Sequence, residues 1–375
     1  MISIFRNAIK QRNRPLRQLL MLRLLHNNKH LSRNISKDNN CLTPLMQPQI
    51  QIITSLTRNF STTNDNSARS DNKEVLHDDP EISELIYKHA HEPQTPTSLQ
   101  TLMKTGRGEY LHKTFRDHKI EEGIYDDNKV ATERVLIQVA GFLRHELPIR
   151  LAHRIQDLSR VPCMKDMPSV KSVKDLYITS FMELLHVSKN VTNYKEENHF
   201  SQIVEKIYDR HAGVLVEMAK GAYQLRANVA SHKNNVDFDS MEQTHAFLDR
   251  FYVSRIGIRV LIGQYLALRQ PPVSHYIGIV CTQTSPFEIV KRAIDDASFM
   301  CTRKYGECPD VIITGRLDLT FPYVPTHLHY IMLELLKNSM RATVDWYGLD
   351  VDSYPPIKVI IADGKENEDV VIKGK

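Results

Sequence analysis

The sequence predicts an α + α/β protein, in which a bundle of long helices precedes a smaller domain of strands and helices. Apolar residues recur with helical spacing in four long segments, 132–158, 173–185, 200–227 and 241–268. After Pro271-Pro272 the pattern changes to short apolar strands that alternate with two helices. At 375 residues the chain is long enough for about two such domains.

Positive charge is concentrated at the start of the chain. Residues 1–60 contain ten Lys and Arg residues and a single acid, Asp38. This composition is typical of a mitochondrial transit peptide, and Arg58-Asn59-Phe60-Ser61 resembles a matrix-protease cleavage site. The alternative is a basic tail that binds acidic partners. Residues 61–80 are rich in Ser, Thr, Asn and Asp, and we expect a disordered linker there.

The remainder of the chain excludes several classes of protein. It is slightly acidic, which gives no argument for nucleic-acid binding. It contains no apolar run of about 18 residues, so we expect no transmembrane helix. The five cysteines lack a CxxC spacing, which favours reduced thiols in a reducing compartment.

The helical domain is predicted to cover residues 81–272. Two short amphipathic segments, 82–89 and 98–104, precede the four long helices. Pro148 is expected to bend or break the first long helix, because proline removes a backbone hydrogen bond. Four long helices with short or medium connections favour an antiparallel four-helix bundle.

The α/β domain is predicted to cover residues 276–375. Its second helix carries the most informative residues of the chain. The predicted elements are a strand at 276–282, a helix from Ser285-Pro286 to Tyr305, strands at 311–314 and 319–324, a helix at 325–347, and a hairpin of 357–362 with 370–373. This order favours an α/β sandwich with helices on one face of the sheet.

A polar stripe runs along the helix at 325–347. At about 100° per residue, Glu334, Asn338, Arg341 and Asp345 fall within an arc of roughly 60°. The apolar side chains are expected to cover the opposite half: Met332, Leu333, Leu335, Leu336, Met340 and Val344.

These residue types suit phosphate chemistry. An asparagine amide oxygen can coordinate Mg²⁺, which prefers hard oxygen ligands. A carboxylate one turn earlier can accept a hydroxyl proton, and an arginine one turn later can neutralise phosphate oxygens. The alternative is an ordinary solvated helix face with a charge pair.

The segment 334–343, Glu-Leu-Leu-Lys-Asn-Ser-Met-Arg-Ala-Thr, resembles the N-box of the mitochondrial 2-oxoacid dehydrogenase kinases, which belong to the GHKL ATPase superfamily. Further matches follow in the family's order. They are Arg144-His-Glu-Leu-Pro-Ile-Arg150 with Ala152-His-Arg-Ile155, Asp209-Arg-His211, and the segment 247–259. The segments 277–282, 304–306 and 256–259 favour the branched-chain enzyme over the pyruvate enzyme. Where family members often carry a histidine, this chain has Gln264-Tyr265.

The resemblance implies a role for each residue of the stripe. Glu334 would be the general base toward a substrate serine, and Asn338 would hold Mg²⁺. Lys337 and Arg341 would lie near the phosphates of ATP, with Asp345 also at the nucleotide. Because the family phosphorylates serine, His145, His153 and His211 are expected to be structural or regulatory.

The resemblance also implies a mitochondrial matrix enzyme with a GHKL-type (Bergerat) ATP-binding domain. Its substrate would be the decarboxylating subunit of the dehydrogenase complex, its dock the lipoyl-bearing core, and a homodimer is left open. In the family, the strand matching 370–373 leads into an Asp-x-Gly-Gly-Gly box that this sequence does not reach, so we expect an incomplete domain. Two hypotheses stay open: an active serine kinase represented by a truncated form, and a catalytically silent bundle that binds the complex.

Overall fold

The computed structural model describes residues 79–109, 127–187, 190–231, 241–349, 351–363 and 370–374. The predicted transit peptide and nearly all of the predicted linker lie outside these residues. The described chain is mostly helical and contains two small sheets. None of its helices is long and apolar enough to cross a membrane.

The chain forms two compact units. The first joins the chain up to Pro96 with Ile137–Ile262, and the second joins Thr97–Leu136 with Gly263–Lys375. The domain limits drawn from the sequence, 81–272 and 276–375, stay predictions.

Seven α-helices precede the first strand among the described residues. They are α1 (Pro80–Ala90), α2 (Leu99–Gly106), α3 (Asp127–Arg160), α4 (Pro168–His186), α5 (Tyr194–Arg210), α6 (Val214–Ser231) and α7 (Glu242–Leu268). Local signals fix several of their starts: Asp79, Ser98 and Asn193 each accept a backbone N–H as N-cap residues.

Two expectations about these helices need correction: no break occurs at Pro148, and the single helix predicted at 200–227 is divided. Helix α3 continues through Pro148, whose neighbours Leu147 and Ile149 are both buried, so packing holds the turns on either side of the proline. The predicted helix 200–227 is interrupted by a 3₁₀ turn at His211–Gly213. There, Arg255 Nη2 donates to the carbonyl of His211 at 2.8 Å, and this contact with α7 accompanies the break.

The second unit contains α8 (Pro286–Tyr305), α9 (Pro325–Tyr347) and six short strands. The strands are β1 (Tyr276–Ile277), β2 (Val280–Thr284), β3 (Val311–Gly315), β4 (Phe321–Tyr323), β5 (Ile357–Asp363) and β6 (Val370–Gly374). One antiparallel sheet has the order β1-β2-β4, and the other has the order β3-β5-β6. In the second sheet β3 pairs parallel to β5, while β5 and β6 pair antiparallel, as the predicted hairpin requires.

The predicted strand 276–282 is split into β1 and β2. Gly278 separates them with φ +61°, a left-handed conformation that glycine adopts at little cost. The buried Gln264 side chain binds both sides of this turn, since it donates to the Ile277 carbonyl at 3.1 Å and accepts the Ile279 N–H at 2.9 Å. Gln264 thus fixes this turn.

Helices α8 and α9 pack against each other and against β5. Their shared core includes Val290, Ala293, Leu336, Met340 and Val359. This core determines which face of α9 is left for other contacts.

Candidate functional site

Helix α9 is anchored by one row of apolar side chains. Pro325 occupies its first turn, and Gly348 ends it with φ +80°. Every fourth residue is then buried: Leu328, Met332, Leu336, Met340 and Val344. Leu335 departs from the predicted apolar half, since it is 53% exposed while Leu336 is 2% exposed. The apolar contact surface of α9 is therefore narrower than the sequence indicates.

The polar stripe lies on the side of α9 away from this row. It is only partly open to solvent. The Glu334 side chain is 16% exposed and that of Lys337 is 25% exposed, whereas Asp345 is about half exposed. The stripe is therefore most enclosed at Glu334 and opens toward the end of the helix.

Two ion pairs flank Asn338 along the stripe. Lys337 Nζ lies 2.8 Å from Glu334 Oε1, and Arg341 Nε donates to Asp345 Oδ2 at 3.0 Å. The helix thus brings together two acids, an amide and two cations within about three turns. One turn before Glu334, desolvation followed by the nearby Glu334 carboxylate raises the pKa of the half-exposed Tyr330 to about 12.

Asn338 and Glu334 offer oxygen atoms of the kind that Mg²⁺ prefers. Within the described part of the chain, no group of three or more His, Cys, Asp or Glu side chains is placed to hold a metal ion. A magnesium ion at this stripe would therefore take few protein ligands and complete its shell with phosphate and water oxygens, which is common for Mg²⁺ bound with a nucleotide. The residues present fit such an ion.

Side chains of the Arg144–Arg150 signature and of the following turn of α3 hold residues 92–95 against this helix through hydrogen bonds. Glu146 Oε1 accepts the Thr95 N–H at 2.9 Å and the Arg150 Nε–H at 2.8 Å. Arg150 Nη2 in turn donates to the Thr95 carbonyl at 2.6 Å, and His153 Nε2 lies 2.9 Å from the Glu92 carbonyl. These bonds give the signature a structural part in the first unit.

A second polar cluster, which the sequence did not predict, lies in the first unit. A small cleft in the first unit, with an enclosed space of only about 10 Å³, is lined by Tyr177, Ile207, Tyr208, His211, Arg255, Ile258, Arg259 and Ile262. Burial, followed by the charge of Arg259, lowers the pKa of Arg255 to about 10. Burial, followed by the charges of Arg255 and Arg210, lowers the pKa of His211 to about 3. His211 is therefore neutral, and its Nε2 lies 2.9 Å from Ser180 Oγ.

Arg255 is only partly satisfied in this cleft. Its Nη2 donates to the His211 carbonyl, but its buried Nε has no hydrogen-bond partner among the described residues. Arg259 donates to the Tyr208 carbonyl at 3.1 Å and lies over the Tyr208 ring. The lining residues come from α4, α5, the 3₁₀ turn and α7, so local sequence could not predict that they meet. The spacing of Arg255 and Arg259 by one helical turn is the one local signal of this cluster.

Comparisons with known proteins agree on one family. A family model described as mitochondrial branched-chain alpha-ketoacid dehydrogenase kinase matches residues 96–281. The mitochondrial pyruvate dehydrogenase (acetyl-transferring) kinase of Arabidopsis thaliana is 42% identical over 245 residues, which cover 64% of this chain and 64% of the relative. The corresponding kinase of Schizosaccharomyces pombe is 32% identical over 358 residues, covering 78% of this chain and 77% of the relative.

The human pyruvate dehydrogenase kinase isozyme 3 is 33% identical over 245 residues, covering 62% of this chain and 59% of the relative. The chain thus spans less than two thirds of the length of the Arabidopsis and human proteins. The longer match to the fission-yeast kinase and the match to the family model indicate the same family as the sequence of the stripe on α9. The chain belongs to the mitochondrial 2-oxoacid dehydrogenase kinase family, a family of protein kinases.

Proposed function

We propose that the protein is a serine kinase of the mitochondrial matrix, which uses Mg·ATP to phosphorylate and inactivate the decarboxylating subunit of the branched-chain 2-oxoacid dehydrogenase complex. The observation that carries this proposal is the partly enclosed stripe of Glu334, Asn338 and Arg341 on α9. Family membership supplies the reaction class, and the stripe supplies the residues.

Glu334 is the general base of the proposed reaction. Its carboxylate takes the proton of the substrate serine as the hydroxyl oxygen forms a bond to the γ-phosphorus of ATP. The bond from that phosphorus to the bridging oxygen breaks, and its electron pair leaves with ADP. Asn338 would hold Mg²⁺, which neutralises charge on the phosphates when bound. Arg341 would neutralise charge on the same phosphates, and Asp345 orients its guanidinium through the bond at 3.0 Å.

The finer fold assignment is part of this proposal. We assign α3, α4 and α7, with α5 and α6 together in the place of the single predicted helix 200–227, to a four-helix-bundle type of domain, and the second unit to a GHKL-type ATP-binding domain. The packing of α4 against α5 and α6, and of α8 and α9 over β5, supports this assignment. The lipoyl-bearing core is the proposed dock, and a homodimer is the proposed assembly.

The choice of substrate needs a direct test. The family model carries the branched-chain name, whereas the relatives are named for pyruvate dehydrogenase. We expect the full-length protein to transfer phosphate from radiolabelled ATP to the branched-chain decarboxylating subunit faster than to the pyruvate subunit at equal concentration. Faster labelling of the pyruvate subunit would reassign the substrate and leave the kinase activity intact.

A further inference from the structure

Lys337 contacts the proposed base directly. Its Nζ lies 2.8 Å from Glu334 Oε1, and both side chains are mostly shielded from solvent. An ion pair in such a place is stronger and more fixed in geometry than one on an open surface. The other cation of the stripe, Arg341, is instead bound to Asp345 one turn further along.

The helix itself fixes this pair. Glu334 and Lys337 are three residues apart, a spacing at which side chains meet on one helix face. The buried Leu336 anchors the turn between them in the core of the second unit. The ammonium and carboxylate are therefore held together by rigid structure rather than by a loop.

We propose that Lys337 is the positioning residue for Glu334. Its ammonium holds Oε1 and restricts rotation of the carboxylate, so that Oε2 is the oxygen that receives the serine proton. Lys337 keeps its own protons throughout the transfer. This inference rests on the proposed function and names the residue that orients its base, where the family resemblance implies only a place near the phosphates.

The two roles of Lys337 predict different kinetics. A residue that positions the base acts on the chemical step, so its removal lowers kcat and leaves nucleotide binding nearly unchanged. A residue that binds phosphate acts on the nucleotide, so its removal raises the KM and Kd for ATP. Misplacement of a reacting group by about 1 Å costs roughly 100-fold in rate.

Steady-state kinetics of the full-length protein separates these roles. In Lys337→Met we expect kcat to fall by roughly 10- to 100-fold, with the KM and Kd for ATP changed by less than about threefold. In Lys337→Arg, which keeps a cation at the position, we expect at least part of the lost kcat to return. Lys358→Met removes a charge from an exposed lysine on β5 and is expected to leave kcat unchanged.

A chemical test reads the contact without any turnover. Carbodiimide activation of Glu334 should form an amide with the adjacent Lys337 with loss of one water, and trypsin should then fail to cleave after Lys337. Glu334→Gln removes the carboxylate and should abolish this product. An absent cross-link, or a Lys337→Met protein with normal kcat and weakened ATP binding, overturns the inference. If the wild-type protein transfers no phosphate, both the proposed function and this inference fail. If the wild type is active and Lys337→Met is equally active, only the inference about Lys337 fails.

Discussion

Among single residues, Glu334 has the most closely defined role in the proposed reaction, that of the general base. Replacing it with glutamine keeps the size of the side chain and removes the proton acceptor. We therefore expect Glu334→Gln to slow phosphate transfer by roughly 100-fold or more while changing the Kd for ATP by less than about threefold. Rapid-quench measurement of transfer, beside calorimetric measurement of ATP binding, checks this. Equal losses in transfer and binding would argue against a base role for Glu334.

His211 makes a second prediction about a single residue, and it concerns stability. Burial lowers the pKa of His211 to about 3, below the value of about 6.5 expected in the unfolded chain. Below pH 6.5 the unfolded chain therefore binds a proton at this histidine that the folded protein does not. The folded state has its full stability from this group above pH 7 and loses this stability progressively as the pH falls toward 3. The free energy of unfolding should fall by about 1 kcal/mol per pH unit from this group.

Urea unfolding of wild type and His211→Gln between pH 7 and 5 measures that slope. The variant is expected to be less stable at pH 7, because the contact with Ser180 is altered, but its stability should depend less on pH. A slope identical in the two proteins would show that His211 takes up its proton in the folded state as readily as in the unfolded state.

At the scale of one element, the orientation of α9 is the claim to test. Leu335 and Leu336 are adjacent and chemically identical, but Leu335 is largely exposed while Leu336 lies in the core. We expect Leu336→Ala to lower the free energy of unfolding by about 2–5 kcal/mol, and Leu335→Ala to change it by about 0.5 kcal/mol or less. Chemical denaturation of both variants gives the comparison. A larger loss in Leu335→Ala would mean that α9 presents a different face to the core.

The ends of α8 and α9 could be predicted because their signals are local. Ser285 caps α8 by accepting the Glu288 N–H, and Pro286 follows it at the first helical position. Gly306 and Gly348, both with positive φ, end the two helices. These residues act within one turn of their own position, so the sequence alone reveals their effect.

Elements that depend on distant partners could not be predicted. The 3₁₀ turn at His211–Gly213 accompanies a bond from Arg255, which lies more than forty residues further along the chain. The split between β1 and β2 occurs where Gln264 reaches across to the Gly278 turn. Pro148, by contrast, gives a strong local signal that the packing around α3 overrides.

For the whole molecule, the candidate site could likewise be predicted from the sequence only in part. Helical spacing alone places Glu334, Asn338, Arg341 and Asp345 on one side of α9. The three-residue spacing of Glu334 and Lys337 permits their contact, but spacing could not foresee how far the Glu334 side chain would be shielded from solvent. The cleft around Arg255 needs residues from three helices, so only the folded chain assembles it.

The proposed phosphate transfer requires that Asn338 on α9 binds a magnesium–nucleotide complex. It is tested most directly by radiolabel transfer from ATP to the purified branched-chain decarboxylating subunit, with the full-length protein as wild type and as Asn338→Ala. We expect Mg²⁺-dependent labelling of a serine by the wild type and none above background by the variant. Labelling by Asn338→Ala at a rate close to that of the wild type would contradict it.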